Sequence, residues 1–242
     1  MRRALFTLPI LAILAACNAG AEEKGAQAGG QQGRRDFQVA TFNGVSLEGS
    51  HDVIVTVGGA PSVRAEGAAE VLERLDIRVE NGTLEIGTRR TSNFGFGRES
   101  GSATIHVTVP SLAAASIGGS GDLLIDRVEG AQFTGAIGGS GNLQIRQLRV
   151  GQAQFAVAGS GNIQAAGAAE RTNLSVAGSG DIDLSAVETR TAAISVVGSG
   201  DVRSRVTGTA EVSVMGSGDV EVSGPARCSV NRMGSGDVRC NI

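Results

Sequence analysis

Acidic and amide side chains recur at an almost constant spacing through the second half of this chain. Each closes a four-residue phrase, Gly-Ser-Gly-Asp or Gly-Ser-Gly-Asn, and successive copies lie 18 to 20 residues apart. The closing residues are Asp122, Asn142, Asn162, Asp181, Asp201, Asp219 and Asp237. If the copies stack, adjacent carboxylates repel each other unless a cation or water lies between them, and calcium accepts such oxygen ligands.

A corner turn explains the same phrase without a metal. Two glycines allow a sharp bend, because glycine takes positive φ at little cost. Asp or Asn can satisfy the corner amides by bonding its own backbone two residues away. Asn142 and Asn162 replace the acid, and nonapeptide calcium repeats carry two such units per coil whereas this chain has one. We therefore predict a column of corner turns with no metal and no cofactor, and a calcium ladder is the alternative.

The cysteines are the next candidates for covalent chemistry. Cys228 and Cys240 both fall on apolar columns near the last copy of the phrase. An oxidising compartment favours an even number of cysteines, and this pair remains if Cys17 is modified separately. A disulfide between them and two buried thiols both stay open.

The chain contains two histidines, His51 and His106. A histidine metal site needs further ligands at a suitable spacing, and neither residue has a Cys or Glu partner so placed. We expect both side chains in turns or on outward faces.

Residues on both sides of each phrase alternate between apolar and polar. Leu174 and Val176 flank a serine before one copy, and Ile182 and Leu184 flank an aspartate after it. A period of two indicates short strands with one buried face. A repeat of 18 to 20 residues fits two or three strands of ~5 residues with their corners.

Two architectures can place such strands. A hairpin at every copy would give an antiparallel sheet, whereas a solenoid would pair each strand with its equivalent one coil away. Whole columns of residues are nearly invariant along the repeats, and stacking in register puts like residues on like. We therefore predict an all-β fold, a parallel β-helix or β-solenoid with coils of 18–20 residues, in which each coil buries its apolar face against its neighbours.

The N-terminus reads as an export signal followed by a tether. Arg2 and Arg3 precede a short apolar run, and Leu14-Ala15-Ala16-Cys17 resembles the bacterial lipobox. The resemblance implies a lipoprotein signal peptide over residues 1–16 and a membrane anchor of acyl chains on Cys17. Residues 17–35 then form the lipidated cysteine and a flexible tether, because they carry no apolar periodicity. Asn18 is not the Asp of inner-membrane retention, which favours the outer membrane.

The folded region is predicted over residues 36–242, with an irregular part at 36–110 and regular repeats at 111–242. The irregular part contains a degenerate eighth phrase at residues 49–52, a short helix at 68–75 and strands on both sides of residues 81–82. These two residues are Asn-Gly, which suits a tight hairpin as well as a solenoid corner. Residues 88–102 are polar and Gly-rich, which predicts a long exposed loop.

These features together resemble the auto-transporter adhesin head GIN domain family. The resemblance covers residues 36–242 and rests on the 42–57 pattern, the Asn-Gly turn, the strand ending in Pro110-Ser111-Leu112 and the repeated phrase. It implies a β-helical domain on exported, often lipid-anchored, bacterial envelope proteins. It supplies no catalytic residue, and a fold does not by itself give a function.

Composition narrows the function classes. The formal net charge is -3 without a basic block, which makes nucleic acid a poor candidate partner. The chain has no Trp and no Tyr, so it lacks the aromatic platforms usual in sugar sites. We predict a non-catalytic envelope module, not an enzyme, that binds an unknown protein or glycan ligand.

Arg232 takes an apolar column in the final repeat, and an inward charge there would end the stack and favour a monomer. The alternatives are a polysaccharide-active β-helix enzyme and an envelope-stress or regulatory lipoprotein.

Overall fold

The computed structural model describes residues 32–89 and 101–241. The predicted signal peptide, Cys17, most of the tether and most of the 88–102 loop lie outside these residues, so they stay predictions. The strands are β1 (Gln32–Phe37), β2 (Gly44–Leu47), β3 (Asp52–Val57), β4 (Ser62–Ala68), β5 (Leu75–Glu80), β6 (Thr83–Thr88), β7 (Thr104–Val109), β8 (Ala114–Ile117), β9 (Leu123–Ile125), β10 (Val128–Ile137), β11 (Asn142–Gly159), β12 (Asn162–Gly178), β13 (Ile182–Gly198), β14 (Val202–Gly216), β15 (Val220–Ser223), β16 (Arg227–Gly234) and β17 (Val238–Asn241), and the helix is α1 (Ala69–Arg74).

The regular half is a parallel β-solenoid, as predicted. From β8 to β17 every strand pairing is parallel, and equivalent residues of successive repeats are direct partners. Phe155 pairs with Leu174, which pairs with Ile194, and Val212 follows in the same column. A hairpin at every copy of the phrase is therefore wrong. The strands pair across a full coil because that register stacks each apolar column on itself.

The core runs along the axis of the solenoid. Apolar residues at alternate positions are buried in coil after coil, and Val157, Val176, Val196 and Val214 are each at most 1 % exposed. The largest buried pair is Phe133 and Phe155, whose ring centroids lie 6.0 Å apart in adjacent coils. Inward columns of this kind stabilise a coil only through its neighbours, so the described repeats must fold as one stack.

The irregular half continues the same stack. β2 and β3 pair in parallel with β8 and β9 on one side and with β6 and β7 on the other. The residues at 49–52 lie directly against the first regular phrase, since the N–H groups of Ser120 and Gly121 both donate to Gly49 O at 2.9 and 3.0 Å. The eighth copy of the phrase is therefore part of the column.

Antiparallel strands close the N-terminal end. β4 pairs antiparallel with β7, β1 with β4, and β5 with β6. The turn between β5 and β6 is a hairpin, because Asn81 and Gly82 have φ of 50° and 78° and Glu80 pairs with Thr83. The Asn-Gly ambiguity is thus resolved in favour of the hairpin. α1 lies within the predicted range and buries Val71 and Leu72.

The first described strand, β1, begins at Gln32, so it includes residues that the sequence analysis assigned to the tether. β1 is polar and lacks the apolar alternation on which the sequence prediction depended. Its position is set by backbone pairing with β4, which needs no apolar side chain. Arg35 reinforces the strand, because its Nη1 donates to Leu72 O at 3.0 Å and its guanidinium lies 4.8 Å from the centroid of the Phe37 ring.

Candidate functional site

The repeated phrase forms a continuous corner, in which each copy hydrogen-bonds the copy before it. In a representative pair, the N–H groups of Ser179 and Gly180 both donate to Gly159 O, at 2.9 and 3.1 Å. The same double acceptance recurs at the carbonyl groups of Gly49, Gly119, Gly139, Gly198 and Gly216, and Gly178 O accepts from Ser199 N–H at 2.9 Å. The corner backbone is therefore paired along the axis, as the strands are.

The Asp and Asn side chains bond along the axis, not within their own turn. The Oδ1 of each of the first six accepts a hydrogen bond from the equivalent residue one coil later. The backbone N to Oδ1 distances are 2.9 Å for Asn142 to Asp122, 3.1 Å for Asp181 to Asn162, 2.8 Å for Asp201 to Asp181, 2.9 Å for Asp219 to Asp201 and 2.8 Å for Asp237 to Asp219. Between the two asparagines the donor is Asn162 Nδ2, 3.0 Å from Asn142 Oδ1. The predicted local bond two residues away is thus replaced by a bond between coils.

This geometry explains why either Asp or Asn can occupy a position in the column. Both offer an Oδ1 acceptor to the next coil, and in five of the six contacts the donor is a backbone N–H that either residue type supplies. Among the described residues, no group of three or more His, Cys, Asp or Glu side chains is arranged to hold a metal ion. The hydrogen bonds between coils give the column a structural role.

A substitution at Asp201 tests this role. Asp201→Ala removes the acceptor for the Asp219 amide, and we expect the free energy of unfolding to fall by about 1 kcal/mol, because the group is partly solvated. Asp201→Asn keeps the acceptor and removes one of several stacked charges, so it should be at least as stable as the wild type. Urea denaturation measures both. Equal losses in the two variants would contradict the role of Oδ1.

The glycines of the phrase are required by close approach between coils. A Cβ on the second glycine would lie 2.0 to 2.2 Å from a carbonyl oxygen of the preceding coil at every one of the seven copies. The first glycine is similarly crowded, and at Gly178, Gly198 and Gly216 it also has φ between 131° and 135°. Positive φ, the reason deduced from the sequence, is therefore only part of the requirement.

His51 lies in the corner formed by residues 49–52, and its side chain is buried there, which the sequence analysis did not predict. It occupies the second-glycine position of the eighth phrase and is 3 % exposed. Thr88 ends β6 and Ala103 directly precedes β7, and both contact the imidazole. Nδ1 accepts from Ala103 N–H at 3.3 Å, which leaves the proton on Nε2 to donate to Thr88 Oγ1 at 3.0 Å. His106 is exposed on an outward face, as expected.

His51 makes stability depend on pH. Burial lowers the pKa of His51, and the neighbouring Asp52 carboxylate offsets part of that effect. The unfolded chain then binds this proton more readily than the folded chain, so folded stability is lost as pH falls below the ordinary histidine value of about 6.5. We expect the free energy of unfolding to fall less between pH 7.5 and 5.5 in His51→Asn than in the wild type. In His106→Asn it should fall as much as in the wild type. Urea denaturation at the two pH values measures this, and equal slopes in all three proteins would refute it.

Cys228 and Cys240 are joined in the structure. Their sulfur atoms are 2.21 Å apart and their Cα atoms 6.6 Å apart, so the two residues form a disulfide. Cys228 pairs with Ala210 in β14 and Cys240 with Val222 in β15. The bond therefore links β16 to β17 across the final coil.

Arg232 takes the predicted column but does not point into the core. It pairs with Val214, yet its side chain is 47 % exposed because no described coil covers it. Its Nη1 donates to Gly236 O at 2.9 Å and to Asp237 Oδ1 at 3.3 Å. Asp237 Oδ1 is the acceptor that a following coil would otherwise meet, so Arg232 satisfies the last side chain of the corner column.

Removing this charge should promote self-association. Arg232→Val restores the valine of the preceding coils at the end of the stack and frees Asp237 Oδ1, so a second copy can pair there. We expect a shift toward dimers or larger species in sedimentation velocity. Arg239→Val removes the same charge from an outward position of the same coil, and it should sediment as the wild type does. An unchanged sedimentation coefficient for Arg232→Val would argue against this role.

A shallow groove of about 550 Å³ crosses five coils on the outer face of the solenoid. Small and polar side chains line much of it, and they point outward at alternate positions of successive strands. They include Gln154, Asn173, Ser175, Ser195, Ser213 and Asn231. The backbone approaches the surface where these side chains are short, which leaves an elongated depression.

An exposed apolar column lies beside the groove. Val197 pairs with Met215, which pairs with Met233, and these side chains are 50 %, 54 % and 65 % exposed. Sequence reasoning missed both the column and the groove. The sequence alone could have predicted the column, because these apolar residues occupy outward positions directly before a corner glycine.

The sequence matches the family model described as "Putative auto-transporter adhesin, head GIN domain" over residues 41–226. This chain belongs to that family. The resemblance deduced from the repeated phrase is thereby confirmed, and it indicates an adhesin-like cell-surface or envelope protein. No curated protein matches the chain. Within the described ranges, no helix has the length and apolar character needed to cross a membrane.

Solved structures share the fold. A crystal structure described as a putative adhesin from Bacteroides fragilis is 22% identical with a TM-score of 0.78, covering 88% of this chain and 97% of that one. A structure described as a putative lipid binding protein from Parabacteroides distasonis is 22% identical with a TM-score of 0.67, covering 86% and 95%. One described as a putative adhesin from Parabacteroides merdae is 16% identical with a TM-score of 0.69, covering 86% and 95%. At these identities the likeness concerns the fold alone.

Proposed function

We propose that this adhesin-family protein is a non-catalytic binding module that holds an extended protein or glycan chain along its outer groove. The observation that carries the proposal is the groove itself, which follows the solenoid axis across five coils. An extended polymer can contact equivalent positions of successive coils there, with short polar side chains supplying hydrogen bonds. The rigid stack needs no rearrangement to bind, which lowers the cost of association.

The chemistry of the groove supports binding rather than turnover. Glu211 is the one titratable side chain among the described residues that line it. Glycoside hydrolysis needs a pair of carboxyl groups that face each other across the bond, and a serine nucleophile needs an adjacent base. Glu211 has no second carboxyl group to face it among the described lining residues, and no histidine or lysine lies among them to activate a serine.

We also propose how the module is displayed. Acyl chains on Cys17 would anchor it to the outer membrane, and the chain between Cys17 and Gln32 would act as the tether. At about 15 residues the r.m.s. reach of a flexible tether is roughly 21 Å, which lifts the solenoid just clear of the membrane surface. The last coil, which carries Arg227, Arg232 and Arg239, would keep the displayed module monomeric through its positive charge.

A groove-filling variant tests the proposed function. The probe is a glycan array together with a pull-down from envelope extracts, and the protein is the full chain with Cys17→Ser to prevent acylation. Ser195→Arg places a long side chain at the centre of the groove and should reduce binding at least about ten-fold, a cost of ~1.4 kcal/mol. Ala186→Arg adds the same side chain at an exposed position outside the groove and should bind as the parent does.

Three results would overturn the proposal. Ser195→Arg could bind every captured ligand as strongly as the parent, or Ala186→Arg could lose binding to the same extent. Cleavage of an array polysaccharide by the parent would instead favour a polysaccharide-active enzyme.

A further inference from the structure

The two ends of the solenoid are closed differently. At the N-terminal end, antiparallel strands β4 and β5 cover the outer edges of β7 and β6. At the other end, β16 pairs with β14 and β17 pairs with β15, and no other described strand pairs with either. The C-terminal coil, residues 224–241, therefore presents unpaired backbone groups along the eight residues of β16.

Apolar side chains are exposed at this same edge. Val230 continues the inward column of Val212, but it is 48 % exposed where Val212 is 3 % exposed. Met233, which ends the outward apolar column, is 65 % exposed. An added strand would cover both and give the edge its missing hydrogen bonds, as β14 does on the other side.

The charge of the edge selects its partner. The C-terminal coil carries Arg227, Arg232 and Arg239 but, among its described residues, a single acid, Asp237, which both Arg232 and Arg239 approach, at 3.3 and 3.8 Å. Two copies of this coil would bring like charges together, which opposes end-to-end stacking. A strand with an acidic residue opposite Arg232 would meet complementary charge.

We propose that the C-terminal coil binds an extended acidic segment of a partner protein by strand addition along β16. In the register that β14 already uses, the partner places an apolar residue against Val230, Asp or Glu against Arg232, and an apolar residue against Met233. Backbone hydrogen bonds supply affinity and the alternating side chains supply specificity. The site shares Val230 with the end of the groove, but the strand addition goes beyond the proposed groove function and does not depend on it.

Fluorescein-labelled peptides test the proposal directly. The probe has the sequence of residues 209–216, the β14 segment that pairs with β16, with Val214→Glu, and the control peptide has Val214→Lys. Fluorescence anisotropy is recorded with the full chain carrying Cys17→Ser. The acidic peptide should bind at least about ten-fold more tightly than the basic one, a difference that falls as salt is raised. Arg232→Glu, at an exposed side chain, should reverse the preference.

The outcomes distinguish this site from the groove. Ser195→Arg should leave peptide binding unchanged if the edge is the site, and Arg232→Glu should leave binding of the groove ligand unchanged. Equal affinity for the two peptides, no binding of either at millimolar concentration, or wild-type dimers that pair through β16 would each overturn the proposal. Circular dichroism of Arg232→Glu confirms the fold, and Arg232→Gln, which should abolish the preference, provides a second variant.

Discussion

Gly180→Ala is expected to destabilise the protein by about 3 kcal/mol or more. The added Cβ would lie 2.1 Å from Gly161 O and 2.7 Å from Val157 Cγ1. Both neighbours are fixed, since one is backbone of the adjacent coil and the other a buried core side chain, so the coils must separate. The corner hydrogen bonds on both sides of the substitution would lengthen together. Urea denaturation followed by circular dichroism measures the loss.

Gly138→Ala is the matched control. The nearest atom to an added Cβ there is Ile117 O at 3.8 Å, an ordinary contact, and the residue is exposed. We expect its stability to lie within about 0.5 kcal/mol of the wild type, as for most surface changes. If Gly180→Ala were as stable as Gly138→Ala, the corner coils could not lie as close together as described.

Removing the disulfide should have the next largest effect. Cys228→Ala with Cys240→Ala opens a loop with a sequence separation of 12, and constraint of the unfolded chain by such a loop corresponds to about 3 kcal/mol. The loss should be concentrated in the C-terminal coil, because the bond links β16 to β17 and each coil contacts only its neighbours. Hydrogen exchange should therefore accelerate in these two strands more than in β12 or β13.

Reduction supplies the control. A reducing agent should lower the stability of the wild type toward that of the double variant and leave the double variant unchanged. Mass spectrometry of the intact wild type should show this pair two mass units lighter than two free thiols. Two free thiols in the wild type would contradict the assigned disulfide. So would a wild type whose stability is unchanged by the reducing agent.

The architecture was predictable because two independent periods agree. Alternation at Leu174, Val176, Ile182 and Leu184 defines strands, and the repeat of the phrase defines the coil. Only a parallel stack places like residues on like at a spacing of one coil, so the register follows from the sequence. The short helix was predictable for a similar local reason, since Val71 and Leu72 share the face that it buries.

Other features depend on contacts that no local pattern encodes. β1 has polar side chains and is held by its backbone, so its residues read as tether. The burial of His51 depends on contacts with Thr88 and Ala103, which are distant in sequence. The axial direction of the Asp201 side chain required knowing that an amide of the next coil lies within reach. The groove follows from the shape of five stacked coils, which exists only after folding.

Both proposed sites use what a solenoid offers for recognition. Repeated side chains on a rigid face present equivalent contacts at a regular interval, and the end of the stack presents a strand edge. Labels of solved relatives differ between adhesin and lipid binding protein, so the fold does not decide the ligand. The variants Ser195→Arg and Arg232→Glu test the two proposed sites separately.

Cross-linking of adjacent corners tests the stacking of coils most directly. Ser217 Oγ and Ser235 Oγ lie 3.0 Å apart in neighbouring copies of the phrase. After mild oxidation, Ser217→Cys with Ser235→Cys should form an intrachain disulfide, mapped by mass spectrometry beside the native one. Ser179→Cys with Ser217→Cys should not, because two coil spacings of ~4.8 Å exceed the reach of a disulfide. Failure of the first pair to bond, or equal bonding of the second, would contradict the stacked corners on which every proposal depends.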